Sequence, residues 1–179
     1  MTPEQYRKLL GWYEQHPKAK QLTLLLNHWL PAIPFVCFPL LIVLLNIQWF
    51  GLFGSGTGRD ILDFMPQIAR AILVPAAVFL FGTLLRAKLN CPRPYEQPGF
   101  TPLVEKETSG RSFPSRHALS AAVLAADWLY FYPPVGVGML LIALAICVLR
   151  VLAGVHFIRD VAAGAVLGFV LGCAGMWLL

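Results

Sequence analysis

Charge is scarce in this chain. Aspartate, glutamate, lysine and arginine make up 13% of its 179 residues, about half of the ~25% usual in a soluble globular domain. That shortage argues against a soluble fold. Cysteine is sparse as well: Cys37, Cys91, Cys147 and Cys173 are widely scattered, so no disulfide framework can be read from them. Three of the four lie in apolar runs, where a cysteine is ordinarily a small packing residue, and Cys91 reads as incidental. There is no basic tail and no zinc-like Cys/His spacing, which argues against nucleic acid as a partner despite a formal charge of +5. No low-complexity tract and no inverted repeat of the transporter kind is visible. The first apolar run begins only near residue 30 with no small-residue cleavage pattern behind it, so a cleaved signal peptide is not expected.

What the chain has in plenty is apolar length. Hydrophobic residues reach 58%, and five segments approach the roughly 20 residues a helix needs to cross the hydrocarbon layer. They run over approximately 30–50, 66–85, 117–132, 135–152 and 160–179. The expected fold is therefore an all-α, polytopic membrane bundle forming a single domain over 1–179. An interfacial segment occupies 1–28 and the transmembrane bundle 30–179. Thr2-Pro3-Glu4-Gln5 has the form of a capping box opening a helix. Tyr6, Leu9, Leu10 and Tyr13 then share one face, with Arg7, Lys8 and Glu14 elsewhere, a pattern that suits the membrane interface. His16-Pro17 breaks this helix and a second short one is expected to follow. Gly164, Gly168 and Gly172 recur every four residues and make a smooth surface for close helix packing.

The polar residues cluster at particular helix ends. The second span ends at Arg86, the third starts at His117, the fourth ends near Arg150 and the fifth starts at Asp160. If directions alternate, all four points fall on one membrane face. One spot then gathers Arg86, Arg93, Ser115, Arg116, His117, Arg150, His156 and Asp160. Arginines with a hydroxyl suit a phosphate, because the guanidinium offers paired donors to charged oxygens. Two histidines and a carboxylate suit nucleophilic catalysis with a separate proton donor. His156 and Asp160 are four residues apart, close enough for the carboxylate to hold one imidazole tautomer and stabilise its developing charge.

Three short stretches carry a family resemblance: RAKLNCPRP (Arg86–Pro94), PSRH (Pro114–His117) and LRVLAGVHFIRD (Leu149–Asp160). In spacing, order and separation they resemble the tripartite signature of the type 2 phosphatidic acid phosphatases, relatives of the vanadium haloperoxidases. That signature reads Lys-x6-Arg-Pro, Pro-Ser-Gly-His and Ser-Arg-x5-His-x3-Asp. Arg86, Arg116 and Leu149 stand where the pattern has lysine, glycine and serine, and Lys88 is an alternative to Arg86. The resemblance spans roughly 66–179. It implies hydrolysis of a lipid phosphate ester or anhydride without a metal or other cofactor, through a phosphohistidine on His156. Asp160 would assist that histidine, and His117 would act as general acid. Arg93, Ser115 and Arg150 would bind the phosphate, with Arg86 and Arg116 adding charge.

Simpler roles compete for some of these groups. Basic residues at helix ends commonly snorkel to headgroups; that suffices for Lys88 and Arg159, whereas the spacing to His156 and Asp160 favours the site for Arg150. Pro94 is expected to stop a helix. Asp127, about 15 Å along the third span at roughly 1.5 Å per residue, is expected to pair with Arg70. Undecaprenyl pyrophosphate, phosphatidylglycerol phosphate and phosphatidic acid are candidate substrates, with Arg116 favouring the diphosphate. Phosphotransfer and a non-enzymatic lipid-phosphate binder are the alternatives; a haloperoxidase is disfavoured in so apolar a chain. A multi-pass protein of the cell membrane with its site on the outer face is expected, although the basic site-side loops pull against that orientation.

Overall fold

A computed structural model describes residues 2–50 and 58–179. Among these described residues seven α-helices follow in order: α1 (Pro3–Gln15), α2 (Pro17–Trp29), α3 (Ala32–Phe50), α4 (Gly58–Leu89), α5 (Arg116–Phe131), α6 (Pro133–Leu152) and α7 (Ile158–Leu178), with a 3₁₀ turn at Pro94–Glu96. There is no strand among the described residues. The loop around Ser55, expected to join the first two spans, lies outside them.

The capping box forms as the sequence suggests. Gln5 N–H donates to Thr2 Oγ1 at 3.2 Å and Thr2 N–H to Gln5 Oε1 at 2.9 Å. Tyr6 and Tyr13 face inward from α1 while Trp12 stays exposed. The second short helix is α2, which turns at Leu30-Pro31 into α3. Four described stretches are long and apolar enough to cross a membrane: Pro17–Gln48, Phe64–Glu96, Pro133–Leu152 and Ile158–Leu178. The chain is a multi-pass membrane protein.

Helix α4 is longer than the apolar pattern suggested and runs straight through Pro66 and Pro75. Proline removes one ladder hydrogen bond, but helices within a bundle re-satisfy the freed groups. Its 32 residues span roughly 48 Å at about 1.5 Å per residue, beyond the ~30 Å hydrocarbon thickness. The last turn, with Arg86 and Lys88, is thereby carried to the bundle's edge.

Helix α5 has only 16 residues and is the central element, packed against α3, α4, α6 and α7. Every residue from Ala118 to Trp128 is buried. The glycine ladder explains its contact with α7. A Cβ at Gly164 would come within 2.5 Å of the Ser115 carbonyl oxygen, and one at Gly168 within 2.3 Å of that of Leu119. Alanine at either position would force the two helices apart.

The expected Arg70–Asp127 pair does not form. Arg70 Nη1 donates to the Tyr130 hydroxyl at 3.3 Å and to the Met176 carbonyl at 3.2 Å. Met176 lies in the last turn of α7, where carbonyls lack intrahelical donors, so the guanidinium caps a helix end instead of meeting an acid. Asp127 is 1% exposed and neither of its oxygens has a hydrogen-bond partner among the described residues.

Candidate active site

The C-terminal ends of α4 and α6, the N-terminal end of α5, the loop between α4 and α5 and the short connection before α7 surround a cavity of about 650 Å³. Arg86, Arg93, Lys106, Arg111, Arg116 and Arg150 line it together with His117 and His156. No aspartate or glutamate is among the described lining residues. Arg86 and Arg150 occupy the last turns of their helices, where the exposed carbonyl ends favour cations. Asn90 ends α4 in the left-handed region (φ 41), a conformation asparagine tolerates better than most residues, and the chain turns back toward Arg93. Arg93 and Arg150 are 7% and 6% exposed. Arg93 Nε donates to the Gly110 carbonyl at 2.9 Å. Arg150 Nε and Ser115 Oγ have no hydrogen-bond partner among the described residues. Arg150, which lines the cavity, thus keeps an unspent donor for an oxyanion, whereas Ser115 is fully buried and outside the lining.

Behind His156 lies a small polar chain. His156 Nδ1 is 3.7 Å from Asp160 Oδ2, too far for a good hydrogen bond. Ser112, fully buried, sits between them. Its Oγ donates to Asp160 Oδ2 at 2.5 Å and lies 3.4 Å from His156 Nδ1. A hydroxyl whose proton goes to the carboxylate can accept from Nδ1–H. That tautomer leaves Nε2 with a free lone pair, as a nitrogen nucleophile requires. Asp160 Oδ2 also accepts the Phe157 backbone N–H at 3.0 Å, and the Ser115 N–H donates to the Asp160 carbonyl at 2.9 Å. One residue therefore caps α7, anchors the start of α5 and faces the imidazole.

Burial lowers the His156 pKa below the ordinary 6.5; the Asp160 carboxylate opposes the shift, and Arg93 and Arg86 add to it. The neutral, nucleophilic form accordingly persists to more acidic pH than for a free histidine. The acidic limb of a kcat/KM–pH profile, which reports groups of the free enzyme, is expected below pH 6.5. A limb at or above that value would contradict it.

The structure gathers Arg86, Arg93, Arg116, His117, Arg150 and His156 around the cavity, while Ser115 and Asp160 are fully buried, bonded to each other through the backbone and outside its lining. Arg86, not Lys88, lines it, and Lys88 is exposed. Arg159 is 66% exposed with Nε 3.5 Å from Asp160 Oδ1. Arg116 lies 5.8 Å from the Phe79 ring centre. Pro94 opens the 3₁₀ turn after the first cluster. Sequence reasoning missed Ser112, Lys106 and Arg111. Ser112 stands three residues before Ser115 in RSFPSRH, so its place beside a recognised cluster was the available signal. Lys106 and Arg111 lie in a long loop whose return over the cavity has no periodic pattern to announce it.

A basic cavity around two histidines, among the helices of a membrane bundle, is suited in charge to an anion with several oxygens. The family model for the PAP2 superfamily matches residues 67–179. The chain belongs to that superfamily of membrane lipid phosphatases. It is similar to the crystal structure of LpxE from Aquifex aeolicus, at 25% identity and a TM-score of 0.55, over 77% of this chain and 86% of that one. It also shares its fold with a transmembrane PAP2-type phosphatidylglycerolphosphate phosphatase from Bacillus subtilis. That match has 24% identity and a TM-score of 0.52 and covers 95% of this chain and 90% of that one. No curated protein sequence matches significantly.

Proposed function

We propose that the chain, acting as a single domain, hydrolyses a lipid diphosphate through a phosphohistidine, with undecaprenyl pyrophosphate as the favoured substrate. The observation that carries this reading is the unbalanced charge of the cavity: six cations and two imidazoles with no acid among the described lining residues. A monophosphate would leave most of that charge uncompensated, whereas a diphosphate offers a second set of oxygens to Lys106, Arg111 and Arg116. Burial together with Arg150, Arg93 and Arg86 lowers the Lys106 pKa, a repulsion that a second anionic group would relieve.

Burial, with Arg150 nearby, lowers the His117 pKa to about 3; the bound diphosphate offsets the cations around it, and His117 takes up a proton with it. His156 Nε2 attacks the terminal phosphorus as its bond to the bridging oxygen breaks, and that proton passes from His117 to the departing oxygen. Water then attacks the phosphohistidine and gives its proton to His117, releasing inorganic phosphate and free His156. Arg93, Arg150 and Arg86 hold the transferred group. No metal or other cofactor takes part in these steps. The apolar tail remains in the bilayer, and the cavity opens to the outer face of the cell membrane.

Phosphate release by the purified protein from a panel of lipid mono- and diphosphates, with and without EDTA, tests this. The expected kcat/KM favours the diphosphate about tenfold or more, the equivalent of a charge-assisted hydrogen bond of ~1.5–3 kcal/mol. Lys106→Met narrows the gap, and EDTA has no effect. A monophosphate preference overturns the diphosphate reading, and loss of activity in EDTA overturns the metal-free route. Labelling of single cysteines at Thr2 and Ser55 from outside the cell reports the orientation.

A further inference from the structure

Tyr6 belongs to α1, outside the 67–179 region that matches the family, yet its side chain ends beside the catalytic loops. The ring is 1% exposed and stacks on Phe100, with centroids 4.4 Å apart at 21°. Its hydroxyl donates to the Leu152 carbonyl at 2.9 Å and accepts the Leu103 N–H at 3.0 Å. One oxygen thus joins the segment leading to Lys106 with the segment running from Arg150 to His156. The two segments also meet through Val104 N–H and the Ala153 carbonyl at 3.3 Å.

Gly154 shows how closely the phenol fits. It adopts φ +75, and a Cβ there would come within 2.6 Å of the Tyr6 hydroxyl. Glycine meets both demands, and His156 follows two residues later. Burial raises the phenol pKa to about 12, so the hydroxyl keeps its proton and continues to donate across the physiological range.

We propose that Tyr6 is a positioning residue through which the interfacial helix α1 holds the Arg150–His156 segment in register with the loop that carries Lys106. This rests on the phosphatase reading above. An imidazole in line with a phosphorus atom tolerates little displacement, and misplacement by about 1 Å can cost on the order of a hundredfold in rate. The tether acts on placement, so it affects turnover more than ground-state binding.

Tyr13 supplies the control. It is another buried phenol of α1, but its hydroxyl pairs with Thr23 Oγ1 at 3.0 Å and joins α1 to α2. The full chain in detergent is compared as wild type, Tyr6→Phe and Tyr13→Phe. The measurements are kcat, KM, thermal unfolding, and hydrogen exchange over residues 100–106 and 150–157. Tyr6→Phe keeps the ring and loses only the hydroxyl. Its kcat is expected to fall roughly tenfold to a hundredfold, with KM and the unfolding midpoint close to those of Tyr13→Phe. Exchange at the Leu103 amide rises, and Tyr13→Phe keeps wild-type turnover. Unchanged kcat and unchanged exchange in Tyr6→Phe overturn the proposal. So does an equal loss of kcat in both variants that follows their loss of stability. If the wild type releases phosphate from none of the lipids, the phosphatase reading fails, and the exchange measurement still decides whether Tyr6 joins the two segments.

Discussion

Alanine at His156 is expected to lower phosphate release by on the order of 10⁴–10⁶, the scale seen when a catalytic nucleophile is removed. Binding of the lipid phosphate should change little by comparison. Arg93 and Arg150 are both buried and line the same cavity, and neither depends on the imidazole for its place. Arg93 is fixed by the Gly110 carbonyl and Arg150 by the last turn of α6. The separation of turnover from binding distinguishes an enzyme from a protein that only carries lipid phosphates. Steady-state release and equilibrium binding of one lipid phosphate would measure it. Turnover within a few-fold of wild type would remove His156 as nucleophile. Equal loss of binding and turnover would instead mean that the cavity had collapsed, which the unfolding midpoint would reveal.

Asp160→Asn is expected to have the second-largest effect, on the order of 10³–10⁴ in kcat by analogy with the buried aspartate of a serine-protease triad. The substitution is nearly isosteric. One amide oxygen can still accept the Phe157 N–H that caps α7, so the fold should survive. What disappears is the negative charge behind the imidazole as it becomes cationic during attack. Ser112→Ala removes the hydroxyl that links His156 Nδ1 to Asp160 Oδ2 but leaves the carboxylate 3.7 Å from the ring. A smaller loss, about tenfold to a hundredfold, is expected there. Because the two groups act on the same nitrogen, their effects should not add. The double variant should be little slower than Asp160→Asn alone. Strict additivity in kcat would show that Ser112 and Asp160 act independently and that the hydroxyl is no relay.

The sequence made much of this site legible. Helix ends carrying Arg86, His117, Arg150 and Asp160 had to converge if spans alternate in direction, and the three motif stretches placed the remaining groups around them. The capping box at Thr2–Gln5 and the glycine ladder facing α5 were equally readable, because each depends on local spacing. Contacts set by long-range loop paths were not. Ser112 enters the His156–Asp160 pair because the stretch before α5 folds over the start of α7. Lys106 and Arg111 reach the cavity from a loop with no periodicity. The apolar stripe on α1 suggested a membrane surface, and it gave no sign that Tyr6 leaves that surface to bond Leu152 and Leu103. Arg70 illustrates the opposite failure. Charge complementarity pointed to Asp127, but the unsatisfied carbonyls at the end of α7 were the nearer acceptors.

The brevity of α5 has a consequence for how the protein meets bilayers of different thickness. Tilting or stretching to match a membrane falls on helices whose apolar sides face acyl chains, and α5 is covered along most of its length by its neighbours. The helix that presents His117 is therefore insulated from hydrophobic mismatch, which α3, α4, α6 and α7 absorb around it. Turnover should still vary with acyl-chain length in reconstituted vesicles, because the outer helices that re-tilt carry Arg86, Arg150 and Asp160 at their ends, while His117 keeps its place.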